Sequence, residues 1–156
     1  MSRHSPFHLS ASEIDAIEPF RRQHQFNDNA VRLTRTLGER VGMQRIGIHL
    51  ITVEPGFETT QHHYHDSDEE FIYVLEGEGE ARIGDAVFTV TAGDFMGFPT
   101  PSPAHSMRNT SSANLVYLVG GENNPEEVVH YPDIKRTMIR AHGKRRYVDW
   151  EHLKDV

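Results

Sequence analysis

The sequence contains no cysteine. Disulfides, thiolate metal sites and cysteine nucleophiles are excluded at once, so any metal must be held by histidine, carboxylate or water. No apolar run approaches the roughly 18 residues of a membrane-crossing helix. The opening stretch MSRHSPFHLS has no continuous apolar segment of the secretory type. A cytoplasmic protein without membrane attachment is therefore expected. Positive charge is also in short supply: 16 Lys and Arg stand against 23 Asp and Glu, a formal net charge of −7. A field of that sign disfavours nucleic acid and anionic membranes as partners. His-Glu-x-x-His and Gly-x-Ser-x-Gly are both missing, which leaves zincin and α/β-hydrolase chemistry without support.

What is present is a chain of 156 residues, the size of one domain. From about Arg40, short runs of β-branched and aromatic residues alternate with Gly, Pro, Asp and Asn. The runs predict strands over Arg45–Val53, Thr59–His65, Glu70–Glu76, Gly79–Ile83, Ala86–Val90, Asp94–Phe98, His105–Asn109 and Leu115–Gly120. Turn signals such as Glu54-Pro55-Gly56, Gly84-Asp85 and Ala92-Gly93-Asp94 separate them. Many short strands at near-regular spacing indicate an antiparallel sandwich or barrel. Residues 1–30 are polar, with one short helix expected from Ser10 through Ile17, capped by Ser10 with Glu13 reaching back. Val128–Tyr131 reads as an extra edge strand ended by Pro132. Residues 134–156 read as a short helix or as chain draped over the barrel.

The 11 histidines are the unusual count, and three fall within His62-His63-Tyr64-His65. Residues two apart on a strand face the same side, so His63 and His65 would point together, with His62 and Tyr64 opposite. A polar turn, Asp66-Ser67-Asp68, then leads to Glu69-Glu70. An acid opening the next strand can lie beside the histidine pair, which is the logic of a facial histidine–carboxylate metal site. The run Phe71–Leu75 predicts a strand buried on both faces, and so a buried acid at its start that needs a partner.

The stretch Gly56…His63-x-His65-x4-Glu70-x6-Gly77 resembles the first motif of the cupin superfamily. Gly93-x5-Pro99…His105-x3-Asn109 resembles the second. The resemblance implies an all-β fold, a double-stranded β-helix (cupin, jelly-roll) barrel with short irregular extensions at both ends. It divides the chain into an N-terminal extension (1–39), the barrel (40–121) and a C-terminal extension packing on it (122–156). It also implies that His63, His65, Glu70 and His105 bind one divalent transition metal, iron, manganese, nickel or zinc. The resemblance selects Glu70 over Glu69 and brings in His105; Asn109 becomes a structural residue after the last ligand. Two departures fall in loops: one additional residue between Gly56 and His63, and Pro101 where the motif has glycine.

The implied function is that of a metalloenzyme acting on a small molecule, of dioxygenase, isomerase or lyase type. The alternative is a non-catalytic module that binds or senses a small ligand. Tyr73 and Met107 are candidate neighbours of the pocket. A homodimer is expected, paired through sheet edges or exchanged terminal strands. Glu76-Gly77-Glu78-Gly79-Glu80 reads as a hairpin turn rather than a phosphate loop. Lys144-Arg145-Arg146 reads as a solvated tail. His49 and His130 read as packed or surface histidines.

Overall fold

The computed structural model describes residues 5–154; the outermost residues of both extensions, 1–4 and 155–156, lie outside the described residues. Its strands are β1 (Phe20–His24), β2 (Asn27–Thr36), β3 (Ile46–Val53), β4 (Tyr64–His65), β5 (Glu70–Glu76), β6 (Glu78–Ile83), β7 (Ala86–Thr91), β8 (Phe95–Phe98), β9 (His105–Arg108), β10 (Leu115–Glu122), β11 (Glu127–Tyr131), β12 (Arg136–Ala141) and β13 (Lys144–Asp149). They form a six-stranded sheet in the order β1-β2-β3-β10-β5-β8, a four-stranded sheet β13-β12-β11-β4 and a three-stranded sheet β7-β6-β9. This is the jelly-roll barrel that the sequence implies. Among the described residues no helix is long and apolar enough to cross a membrane.

Alternation builds the core. Ile51 and Val53 of β3, Ile72 and Val74 of β5, and Leu115 and Tyr117 of β10 point inward and pack into one cluster. Full burial of each aliphatic side chain stabilises by roughly 1.5–3 kcal/mol. The expectation of a two-sided burial for Phe71–Leu75 needs correcting: Tyr73 and Leu75 are 40% and 46% exposed. An antiparallel sheet packs one face on the core and leaves the other to solvent. Gly77, between β5 and β6, has φ +82. A Cβ there would overlap the Asn114 carbonyl, so glycine is required on both counts.

Both chain ends hold more strand than the sequence reading allowed. The expected helix is present as α1 (Ala11–Asp15), with Ser10 and Glu13 in a reciprocal capping box. It is followed by the β1–β2 hairpin, which extends the large sheet beyond β3. At the other end β11 is not an edge strand. It is paired on one side with β4 and on the other with β12. Over residues 135–154 the chain is largely strand: β12 and β13 form a hairpin turned by His142 and Gly143, both with positive φ, and a short 3-10 turn follows at Trp150–His152. Two such residues make a tight primed turn. That dipeptide was the available signal. It was easy to miss because neither β12 nor β13 keeps the polar–apolar alternation of a half-buried strand.

Candidate metal centre

His63 and His105 are brought together by the backbone. The His105 N–H donates to the His63 carbonyl at 2.8 Å, and the His63 N–H to the His105 carbonyl at 3.2 Å. They form an isolated antiparallel bridge. Side chains of such a pair are neighbours on one face, and the ring centroids lie 4.6 Å apart. Of the strand expected over Thr59–His65, only Tyr64–His65 belongs to a ladder. The alternation nevertheless holds. His65 sits 5.0 Å from His63, ring to ring. On the other face His62 bonds Ser106 and Tyr64 stacks on His130.

Glu70 opens β5 on the same face as Ile72 and Val74, and so points inward. Its Oε2 lies 3.0 Å from Nε2 of His105, 3.7 Å from that of His65 and 3.9 Å from that of His63. One carboxylate oxygen thus faces three imidazole nitrogens. The tightest grouping is His63, Glu70 and His105, whose donor atoms lie within 4.8 Å of one another. His65 joins it through Glu70. Phe98, paired with Glu70 across β5 and β8, stacks on the His105 ring at 3.6 Å and 7°.

The protonation states of His63 and Glu70 suit ligands. His63 Nδ1 faces the Gln61 carbonyl at 2.9 Å and must donate, so its Nε2 carries a lone pair. Burial, and then the neighbouring His105, hold the His63 imidazole neutral down to about 3. Burial alone would raise the Glu70 pKa. The hydrogen bond from His105 and the field of the imidazoles outweigh it, and Glu70 stays ionised below the ordinary carboxylate range. The donor set, three imidazoles and a carboxylate, fits a first-row divalent metal.

A second grouping, His65 with Asp68 and Glu127, has a different character. Glu127 accepts the backbone N–H groups of Asp66, Ser67, Asp68 and Val128. Asp68 pairs with Arg140 at 2.7 Å and also accepts from Asn124. These acids are committed to building the turn between His65 and Glu70. Sequence reasoning missed them because their partners lie more than fifty residues away.

The three histidines and Glu70 line a cavity of about 340 Å³, in the range of small-molecule sites. Tyr73 and Met107 do not. Tyr73 lies on the outer face of β5 and Met107 is packed in the core. Four arginines share the wall: Arg22, Arg32, Arg140 and Arg145. Arg145 comes from the Lys144-Arg145-Arg146 run read as a solvated tail, and the β12–β13 turn carries it back to the cavity. His24, Tyr131 and Tyr147 also line it. His49 and His130 stay outside, His130 bonding Thr137 and Asp66.

The Cupin domain family model matches residues 49–121, which hold all four candidate ligands. No curated protein matches the chain. Among solved structures, the chain is similar to a protein of Acidithiobacillus ferrooxidans called a "putative sugar phosphate isomerase". The two are 36% identical over 97% of each chain, with a TM-score of 0.95. It is also similar to a protein of Silicibacter pomeroyi called a sugar phosphate isomerase from a cupin superfamily, at 25% identity, 88% and 91% coverage and a TM-score of 0.80. With both motifs, the barrel and the family match in agreement, the chain belongs to the cupin superfamily.

Proposed function

We propose that His63, His65, Glu70 and His105 hold one divalent transition metal, and that the chain is a metal-dependent isomerase of a small phosphorylated sugar. The observation that carries this reading is the convergence of one Glu70 oxygen on three histidine Nε2 atoms at the wall of an open cavity. The names of the two similar proteins favour isomerase over dioxygenase or lyase within the range the sequence allowed.

A bound metal would supply a Lewis acid that polarises the carbonyl and hydroxyl oxygens on the two carbons between which the proton moves. The chain's own residues supply recognition. The Phe26 N–H donates to His24 Nδ1, which leaves the proton of His24 on Nε2. Burial, with Arg32 and Arg22 nearby, lowers the His24 pKa to about 4 and keeps the ring neutral. Burial, then Tyr147, pushes the Tyr131 phenol up to about 12. His24 and Tyr131 therefore offer uncharged donors suited to sugar hydroxyls.

The test is to load the protein with iron, manganese, nickel or zinc in turn. Each form is then incubated with paired aldose and ketose phosphates in D2O. Proton NMR would show interconversion with solvent deuterium entering the product, lost with chelator and in His105→Ala. A metal-loaded protein that binds these compounds without interconverting any would overturn the isomerase reading and favour a ligand-binding module.

A further inference from the structure

Two pairs of arginines run against the usual logic of strand pairing. Arg22 of β1 and Arg32 of β2 are direct cross-strand partners, and so are Arg140 of β12 and Arg145 of β13. Like charges placed opposite one another destabilise a ladder. Here two such pairs, from hairpins at opposite ends of the chain, converge on one cavity in a protein of formal charge −7. Arg140 is compensated by Asp68. Among the described residues, no carboxylate forms an ion pair with Arg22, Arg32 or Arg145. The one acid on the cavity wall is Glu70, which faces the imidazoles. Partial burial, then the guanidinium groups of Arg32 and Arg145, weaken the hold of Arg22 on its proton. Arg32 shares the cavity wall with the buried Tyr117.

We propose that Arg22, Arg32 and Arg145 form a phosphate subsite that takes the phosphoryl group of a phosphate monoester. A planar guanidinium fork matches phosphate oxygens, and a dianion among three cations removes the repulsion each suffers without it. The two hairpins then hold the phosphoryl end of the substrate, and the histidine–glutamate cluster receives its hydroxyl end. As half of an isomerase site this rests on the function proposed above; as an anion site it stands by itself.

Inorganic phosphate is the probe, titrated calorimetrically into the metal-loaded full chain at low ionic strength. Arg22→Gln and Arg145→Gln should each weaken binding by about tenfold or more. Arg21→Gln and Arg146→Gln remove the same charge from the same hairpins. Neither side chain lines the cavity, and the Arg21 guanidinium lies over the Phe57 ring. These controls should change binding by less than about twofold, and metal content should hold in all four. Equal weakening in all four would reduce the effect to net charge and overturn the subsite. So would phosphate binding that survives Arg22→Gln and Arg145→Gln but disappears in His63→Ala. Saturable, arginine-dependent phosphate binding without turnover of any sugar phosphate would uphold the subsite and reject the isomerase. Turnover with an unchanged KM in Arg22→Gln and Arg145→Gln would do the reverse.

Discussion

The Glu127 carboxylate accepts the backbone N–H groups of Asp66 and Ser67, each at 3.1 Å, although sixty residues separate them in sequence. With only 2% of its surface exposed, Glu127 organises the turn that carries the chain from His65 to Glu70. Glu127→Gln keeps the shape but replaces an all-acceptor group with one that also donates. A loss of about 1–3 kcal/mol is expected, since buried N–H groups are left poorly satisfied. Urea denaturation would measure it. Metal uptake should weaken in parallel, because the turn sets the His65–Glu70 spacing. Unchanged stability would remove Glu127 from this role.

His63→Ala and His105→Ala should each abolish stoichiometric metal, whereas His49→Ala and His130→Ala should retain it. Elemental analysis of protein purified without chelator reads the difference. Full occupancy in either of the first two variants would contradict the proposed ligand set. The paired controls separate loss of a ligand from loss of any histidine.

Asn109 is fully buried. Its Nδ2 donates to the Val53 and Ala113 carbonyls at 2.8 and 2.7 Å, and its Oδ1 accepts from the Ser111 N–H and hydroxyl. Asn109→Ala leaves several of these groups without partners, and a cost of about 2–4 kcal/mol is expected. Gly77→Ala should also destabilise, through positive φ and the clash with Asn114. Thermal unfolding of both variants against the parent would check the pair, and a parent-like Tm in either would argue against the corresponding contact.

Stability should fall as the pH drops from about 6.5 to about 4, with His24 contributing to the slope. Burial, then Arg32 and Arg22, depress its folded pKa from 6.5 to about 4. Over that window the unfolded chain takes up a proton that the folded chain refuses, so protonation favours unfolding. Below about 4 both states are protonated and the contribution levels off. Denaturant midpoints measured across this range should slope less in His24→Gln, and an identical slope would remove His24 as a contributor. In metal-free protein the depressed His63 pKa acts with the same sign.

The parts of the site that local pattern could reach are those on one strand. His63 and His65 share a face because side chains alternate, and Glu70 falls on the inward face of β5 with Ile72 and Val74. The Ser10–Glu13 cap was legible because its hydrogen bonds span three residues. Strands with β-branched runs, such as Ile46–Val53, were legible because their two-residue period is also local. His105 came from motif resemblance alone. The contact that places it, a backbone bridge to His63, is a pairing between distant segments.

The sequence by itself determined the chemistry on offer: no thiolate, an alternating histidine pair, an acid one short turn later, and enough regular strands for a barrel. Tertiary structure decided what that chemistry faces. It folded two polar ends into hairpins, set Arg22 opposite Arg32 and Arg140 opposite Arg145, and directed all four to the cavity of the histidines. The reason is physical. Facing along one strand follows from a fixed two-residue period, whereas register between distant strands is settled only when the whole sheet closes and buries its core.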